Sequence, residues 1–385
     1  MKHPFNPVIG ILGGGQLGKM LIESSMPWNV SYNVLDPDSE APCKAYASNF
    51  IHAGLKDKEA IKQLAKISDV LTYEIEHVNV EVLQELEAAG KTVIPSSGIL
   101  KIIQDKGLQK QFYKDHHLPT ADFAFVQSKA DWQSAIKEIK GEKIVAKLCK
   151  GGYDGKGVSI CNKSEIEKGV LPFDEPCIIE EFLAGSREIS IMVAANDYET
   201  KTWPSIEMNF DPHLNLVDLI FSPGNLNETE ARKAADIAIS AIKALNGKGV
   251  FAVEMFLTKG GEILINEIAP RPHNSGHHTI EAAVTSQYEQ LNRILLNLPL
   301  GSTELIQPAV MVNLIGPANI TGNYKLAGLD KALKIGGFYL HLYKKNETRP
   351  GRKMGHYTVM ADSVTEAISN ALLIKDWLKI ESIDL

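Results

Sequence analysis

The first hundred residues alternate between short apolar runs and segments with helical spacing, and this alternation most constrains the fold. The apolar runs lie at residues 8–12, 30–35, 70–75 and 92–95. The helical segments between them lie at residues 17–23, 60–67 and 80–89. Strands separated by helices predict a parallel sheet covered on both faces. We therefore expect an N-terminal α/β domain over residues 1–100.

The pattern changes after residue 100. A polar helical segment over residues 101–116, one extended segment over residues 118–126, a further helix and a strand at Lys143–Leu148 follow, and another strand is expected at Cys177–Phe182. These elements predict a small α+β domain over residues 101–187. Longer strands around a helix at Thr229–Leu245 predict a third domain over residues 188–385. The chain has 385 residues, a length that accommodates three domains.

Composition excludes several classes of protein. There are 40 Lys and Arg against 47 Asp and Glu, a net charge of −7, which argues against a nucleic-acid binder. No apolar run approaches the ~20 residues of a membrane helix, and the N-terminal apolar patch lacks a signal-peptide cleavage site. The four cysteines are far apart in sequence, which favours reduced thiols in the cytoplasm over a zinc site or disulfides.

A glycine loop follows the first apolar run. Gly13-Gly14-Gly15-Gln16-Leu17-Gly18 fits the pattern G-x-G-x-x-G, and Asp36 lies about 20 residues further on, where a dinucleotide-binding protein holds a ribose. Exposed amides at a helix N-terminus bind any phosphate, so the loop favours an anion over a dinucleotide. A tight turn that requires glycine is the other interpretation.

A second glycine loop follows an apolar strand that contains Lys147. A buried lysine requires an anionic partner. Residues 150–158 place four glycines around Tyr153, Asp154 and Lys156, and their exposed amides suit closure over a triphosphate. The alternative is a glycine-rich hairpin with a surface lysine.

Two carboxylates lie in apolar strands on either side of Gly260-Gly261. If these glycines form a two-residue hairpin turn, Glu254 lies opposite Glu267. Two carboxylates about 5 Å apart repel each other unless they share a proton or bind a cation. With Asn266 adjacent, hard oxygen ligands favour Mg²⁺ bound together with phosphates. A register slip of one residue would instead place one glutamate in solvent.

Two further segments carry polar side chains. Residues 269–277 form a loop that two prolines stiffen, and this loop suits a substrate platform beside the metal. Its histidines, with His278, leave zinc as an alternative, although the carboxylates favour magnesium. Residues 347–356 are locally basic, and a solvated surface turn is the simplest interpretation of such a run.

Taken together, these motifs resemble the ATP-grasp ligases, and most closely the N5-carboxyaminoimidazole ribonucleotide synthetase family. The resemblance spans essentially the whole chain. It is carried by GILGGGQLGKM (10–20), LDPD (35–38), TYEIE (72–76), DK (105–106), AKLCKGGYDGKG (146–157), IIEEFL (178–183), RE (187–188), NEIAPRPHNSGH (266–277) and RPGRKMGH (349–356).

The resemblance implies an ATP-grasp fold, α/β and α+β, with an N-terminal biotin-carboxylase-like (Rossmann-like) parallel-sheet domain and a lid domain. It implies that ATP and bicarbonate form carboxyphosphate, whose carboxyl group passes to the exocyclic amine of aminoimidazole ribonucleotide. Mg²⁺ and a homodimer are implied as well. This chemistry requires exclusion of water and neutralisation of phosphoryl charge.

The resemblance also assigns roles to individual residues. ATP would contact Lys106, Lys147, Gly152, Tyr153, Asp154, Gly155, Lys156, Gly157, Val158, Glu180, Glu181, Phe182, Leu183, Glu188 and Asn266. Glu254 and Glu267 would bind magnesium. Arg271 would steady the carboxyphosphate, with Tyr153 and Asp154 as further catalytic residues. The ribonucleotide would contact Gln16, Leu17, Glu76, Tyr153, Asp154, Asn274, Lys345, Arg352 and Lys353. The 5′-phosphate would bind the basic segment. No role is assigned to Asp211 or His213, because the spacing around them departs from the family pattern.

Other functions compete with this one. The formate-dependent glycinamide ribonucleotide transformylases share the ends of the chain, but their phosphate loop lacks the Tyr153-Asp154 pair. Biotin carboxylase is a longer chain. An NAD-dependent dehydrogenase would use the first glycine loop and leave Lys147 and the paired glutamates unexplained. A nucleotide-binding regulator without activity is the remaining alternative.

Overall fold

The computed structural model describes residues 7–152, 157–210 and 217–383. Its first sheet is parallel and five-stranded, in the order β3-β2-β1-β4-β5. The elements are β1 (Val8–Leu12), α1 (Gln16–Glu23), β2 (Ser31–Asp36), β3 (Asn49–His52), α2 (Lys58–Lys66), β4 (Val70–Tyr73), α3 (Val80–Ala88), β5 (Thr92–Val93) and α4 (Ser97–Ile103). The predicted parallel sheet is confirmed. Strand β3 escaped prediction because only two of its four residues are apolar.

One predicted helix is in fact two. The segment expected as a single helix over residues 101–116 divides into the end of α4 and a new helix, α5 (Lys106–Asp115). Asp105 lies between them in an extended conformation, and its side chain accepts hydrogen bonds from the backbone of Gly107 and Leu108. This is a helix N-cap, and the carboxylate starts a new helix where a continuous one was expected.

A four-stranded antiparallel sheet follows, in the order β6-β9-β7-β8, and we call it the lid sheet. Its elements are β6 (Phe123–Val126), α6 (Trp132–Glu138), β7 (Lys143–Leu148), β8 (Val158–Asn162), α7 (Lys163–Glu167) and β9 (Cys177–Glu181). One face packs on α6 around Trp132 and Ile144. The other face carries Lys147 and Glu180 and lies beside α5, where Lys110 of α5 pairs with Glu180.

The largest sheet has nine strands, in the order β15-β14-β10-β12-β13-β16-β20-β18, with β11 beside β10. Its strands are β10 (Arg187–Ala195), β11 (Thr200–Thr202), β12 (Ile206–Phe210), β13 (Val217–Ser222), β14 (Gly249–Leu257), β15 (Ile263–Ala269), β16 (Ala309–Ile315), β18 (Phe338–Leu342) and β20 (Lys353–Met360). The strands β17 (Gly322–Ala327), β19 (Glu347–Thr348) and β21 (Lys379–Ser382) form a small sheet. The helices are α8 (Glu228–Ala244), α9 (Thr279–Ala282), α10 (Gln287–Leu295), α11 (Leu329–Ala332) and α12 (Val364–Trp377).

The two faces of the large sheet pack against different elements. Residues such as Ile191 and Val253 pack with α5 and α8. Residues such as Met192 and Ala252 face the other way, in a core shared with α10 and with the parallel sheet. Glu254 lies on this second face, because side chains alternate along a strand. The N-terminal and C-terminal parts therefore meet over the face that carries the paired glutamates.

The domain boundaries expected near residues 100 and 187 remain predictions. The described residues also contain three short 3₁₀ helices, at Lys44–Tyr46, Lys129–Asp131 and Asn274–Gly276. Within the described ranges, no helix is both long enough and apolar enough to cross a membrane.

Candidate active site

The paired carboxylates lie on β14 and β15, and Glu254 is directly opposite Glu267 as predicted. The predicted two-residue turn is wrong. Thr258 N donates to Glu262 O at 2.9 Å, so the loop has three residues and ends at Gly261 with φ +79°. A register shift just after Glu254 compensates for the extra residue. The turn and this bulge together restore the pairing.

The charges around the pair are asymmetric. Lys106 of α5 forms an ion pair with Glu267 and lowers the pKa of that carboxyl to about 2. Burial, with the nearby charges of Glu267 and Glu188, raises the pKa of Glu254 to about 8. His273 Nε2 lies 3.4 Å from Glu254 Oε1. Near neutral pH the raised pKa keeps Glu254 largely protonated, and a divalent cation between the two carboxylates would allow both to ionise.

The donor set fits magnesium. Two half-buried carboxylates and the neighbouring Asn266 offer hard oxygen ligands. Asn266 Oδ1 accepts a hydrogen bond from Lys147 at 2.7 Å, which fixes the amide beside the pair. Among the residues that the structure describes, no group of three or more His, Cys, Asp and Glu side chains could hold a metal ion. A cation here would therefore complete its coordination with phosphate oxygens or water.

Buried lysines surround the inner end of the lid sheet. Lys147 Nζ lies 2.6 Å from Glu180 Oε2, and Lys110 Nζ lies 2.5 Å from Glu180 Oε1. Burial opposes ionisation of Glu180, but the two lysines outweigh it and lower its pKa to about 2. Lys147 therefore has the anionic partner that burial requires, a carboxylate of the protein. Lys110 escaped prediction, because its polar helix gave no reason to expect burial.

The face of the lid sheet that carries Lys147 also exposes apolar side chains. Phe125 and Val158 are each 37% exposed and Ile160 is 59% exposed. They flank the lysines on strands β6 and β8. Apolar surface beside fixed cations suits a flat base that carries phosphates. The sequence pattern did not predict this surface.

The second glycine loop is described at its two ends. Gly152 and Gly157 face each other, since a Cβ at Gly157 would lie 3.3 Å from Gly152 Cα. Gly157 has φ +77°, and its carbonyl accepts from Leu148 N at 2.9 Å. The candidate residues Tyr153, Asp154, Gly155 and Lys156 lie outside the described residues. The segment 211–216, with Asp211 and His213, lies outside them as well.

The remaining residues predicted to contact ATP lie at the end of the lid sheet and on β10. Glu181 ends β9, and Phe182 and Leu183 follow it, all half-buried. Glu188 lies on β10, on the same sheet face as Glu254, because Ser190 pairs with Glu254 two residues away. Burial raises the pKa of Glu188 to about 7.

The first glycine loop is paired within the protein. Gly14 N donates to Asp36 Oδ2 at 2.6 Å, and the Glu74 carboxylate accepts from Gly15 N and Gly18 N. Asp36 therefore supports the loop itself, and these amides already have acceptors. The dinucleotide interpretation is wrong for this loop. The anion that the loop binds is a side chain of the protein.

Residues predicted to contact the ribonucleotide meet between the N-terminal sheet and the C-terminal part. Arg271 Nε lies 2.8 Å from Glu76 Oε1. Lys345 Nζ donates to Gln16 Oε1 at 3.2 Å and to Lys353 O at 2.6 Å. Leu17 packs on the shared core. These contacts bring residues from the N-terminal and C-terminal parts of the chain together.

Two other candidates differ in their surroundings. Asn274 is half-buried, and within the described part of the chain neither its side-chain oxygen nor its nitrogen has a hydrogen-bond partner. A buried amide with unmet hydrogen bonds suits a polar ligand. Arg352 donates to Glu347 O at 2.7 Å, which orders the basic segment.

The histidines of the proline-containing loop are enclosed in the protein. His277 and His278 are buried, and His278 Nδ1 lies 3.0 Å from Ser275 O.

The fold and this site define the class of protein. A family model described as the ATP-grasp domain matches residues 111–288, and one described as the ribonucleotide synthetase preATP-grasp domain matches residues 7–104. A third, the phosphoribosylaminoimidazole carboxylase C-terminal domain, matches residues 309–370. The chain is an ATP-grasp protein.

Comparison with whole proteins narrows the class. The chain is 37% identical to N5-carboxyaminoimidazole ribonucleotide synthase of Bacillus subtilis (strain 168), over 96% of each chain. It is 44% identical to the N5-carboxyaminoimidazole ribonucleotide synthetase structure from Thermotoga maritima, with a TM-score of 0.89, over 98% of this chain and 100% of that one. The chain belongs to the N5-carboxyaminoimidazole ribonucleotide synthetase family.

A liganded structure is similar as well. The synthase from Aspergillus clavatus, in complex with ADP and 5-aminoimidazole ribonucleotide, is 33% identical, with a TM-score of 0.86, over 97% of this chain and 99% of that chain. That relative binds a nucleoside diphosphate together with the ribonucleotide.

Proposed function

We propose that this protein carboxylates 5-aminoimidazole ribonucleotide at its exocyclic amine, using ATP and bicarbonate. One observation carries the proposal. Arg271 follows the strand that bears Glu267 and forms an ion pair with Glu76 of the N-terminal domain. The candidate phosphate site and the candidate ribonucleotide site therefore meet at one guanidinium. A reactive intermediate made in one site is consumed in the other without crossing water.

The proposed reaction has two steps. A bicarbonate oxygen attacks the γ-phosphorus of ATP and the bond to ADP breaks, which gives carboxyphosphate. The amine nitrogen then takes the carboxyl group, the bond between carboxyl carbon and phosphate oxygen breaks, and phosphate and one amine proton leave. Arg271 binds the anionic intermediate. Lys106 and Lys147 bind phosphate oxygens in place of their present carboxylate partners, with residues 152–158 closing over them.

Glu254 and Glu267, with Asn266 beside them, would hold magnesium. When bound, magnesium neutralises phosphate oxygens as charge develops on them. Glu188 would bind the ribose of ATP, and the backbone of Glu180, Glu181, Phe182 and Leu183 the adenine. The homodimer, the cytoplasmic location and the two domain boundaries remain predictions.

An assay of ADP release distinguishes between the two candidate pairs of substrates. We expect ADP release that depends on both aminoimidazole ribonucleotide and bicarbonate. Equal or faster release with glycinamide ribonucleotide and formate would overturn the proposal in favour of the transformylase alternative. No release with either pair would favour the inactive regulator.

Lys345 makes the binding of the ribonucleotide pH-dependent. Burial and the charge of Arg352 lower the pKa of Lys345 to about 8. The free enzyme loses this cation as the pH rises through 8, and with it an attraction for the 5′-phosphate. We expect kcat/KM for the ribonucleotide to fall above pH 8, because this parameter reports the free enzyme. Lys345→Arg should move that limb upward, since arginine stays charged. An unchanged profile in Lys345→Arg would contradict this assignment.

A further inference from the structure

The start of α1 binds a carboxylate of its own chain. Both oxygens of Glu74, the residue after β4, accept backbone hydrogen bonds, from Gly15 N and from Gly18 N, the latter at 2.6 Å. The backbone of Glu74 is fixed too, since its N–H donates to Leu12 O at 3.0 Å. Amides at a helix N-terminus are otherwise a ready site for phosphate. Here a phosphate would have to displace Glu74.

This loop requires glycine at two positions because the side chain of Glu74 lies against it. A Cβ on Gly15 would lie 2.5 Å from Glu74 Oε1, and one on Gly13 would lie 2.6 Å from Glu74 Cγ. Both separations are below van der Waals contact. In a dinucleotide-binding protein the same spacing admits a pyrophosphate. In this chain it admits a side chain.

The loop is connected to the candidate ribonucleotide site. Gln16 follows Gly15 directly and begins α1, and its side-chain oxygen accepts from Lys345 Nζ at 3.2 Å. The charge of Glu74 also acts on Lys345, since it raises the pKa of that lysine against burial and Arg352. Glu74 thus fixes the backbone beside Gln16 and favours the charged form of its partner.

We propose that Glu74 is a positioning residue for the ribonucleotide, one that occupies the phosphate-binding end of α1 and holds Gln16 against Lys345. The substrate's 5′-phosphate is thereby directed to Lys345 and the basic segment at 347–356, because the competing amides are taken. The inference rests on the proposed function. It adds a residue to which the family resemblance assigned no role.

Glu74→Gln tests the inference. The substituted amide presents an NH₂ group where one backbone N–H needs an acceptor, so the loop loses part of its support. We expect KM for the ribonucleotide to rise about tenfold, as for a lost hydrogen bond to a charged group, with kcat and KM for ATP within about twofold of wild type. The matched control is Glu87→Gln. Glu87 Oε1 accepts from Ser97 N at 3.1 Å in the same domain, at the start of α4.

The outcomes separate clearly. An unchanged ribonucleotide KM in Glu74→Gln, an equal rise in Glu87→Gln, or a parallel rise in KM for ATP would overturn the positioning role. If Glu74→Gln does not fold, Gly15→Ala decides, because its added carbon displaces the same carboxylate and should raise the same KM. Wild-type protein without ribonucleotide-dependent ADP release would instead refute the proposed function itself.

Discussion

Glu267→Gln is expected to lower kcat by at least about a hundredfold, the range found when one preorganised charged contact to a transition state is removed. The glutamine keeps the shape of the side chain but removes the charge that pairs with Lys106 and opposes Glu254. The proposed metal ion loses a charged ligand, and Lys106, the proposed phosphate ligand, loses its ion-pair partner. ADP release under saturating substrates measures the effect.

The fold should survive this substitution. Glu254 is relieved of a like charge, and Lys106 is partly exposed, so neither is left as a fully buried uncompensated ion. We expect the thermal unfolding midpoint to stay close to that of the wild type. Glu262→Gln is the matched control, because Glu262 is an exposed glutamate on the same hairpin. Full activity in Glu267→Gln, or equal loss in Glu262→Gln, would remove the metal role.

Arg271→Lys is expected to uncouple the two half-reactions. A lysine keeps one positive charge but loses the planar fork that binds two oxygens of an anion at once. The substitution also disrupts the ion pair with Glu76, the contact that joins the candidate phosphate site to the candidate ribonucleotide site. Carboxyphosphate would then decompose in water more often. We expect kcat for carboxylation to fall about a hundredfold and the ratio of ADP to carboxylated product to rise above one.

A second arginine serves as the control for this variant. Arg293 pairs with Glu289 one turn earlier on α10, with an N–O distance of 2.7 Å. Arg293→Lys should leave both the rate and the product ratio unchanged. If Arg271→Lys still forms one carboxylated product for each ADP, whether or not its rate falls, the guanidinium does not bind the intermediate.

The sequence predicted the pairing of Glu254 and Glu267 better than the turn that connects their strands. Glu254 does lie opposite Glu267, yet two deviations cancel, the three-residue loop and the bulge after Glu254. The sequence shows the two glycines of the turn, but it does not show the backbone hydrogen bonds that determine the length of the loop. The pairing was nevertheless predictable, because a slip would leave one glutamate facing the wrong side of a buried strand.

Long-range ion pairs were the part that local pattern could not predict. Burial of Lys147 predicted an anionic partner, but its identity as Glu180 depends on the order of strands in the lid sheet. Likewise the glycine loop predicted an anion, while the anion proved to be Glu74 from the end of the neighbouring strand β4. Both partners are set by topology. A local interaction was missed as well. The N-cap at Asp105 begins a new helix within a segment that was predicted as one continuous helix.

The most direct test of the account follows oxygen from bicarbonate. If a bicarbonate oxygen attacks the γ-phosphorus, that oxygen stays with phosphorus when the carboxyl group leaves. With ¹⁸O-labelled bicarbonate, ATP and aminoimidazole ribonucleotide, the account predicts one ¹⁸O atom in each phosphate released, measured by mass spectrometry, together with a carboxylated ribonucleotide. Phosphate that carries no label while carboxylated product accumulates would contradict it, because carboxyphosphate would then not lie on the reaction path.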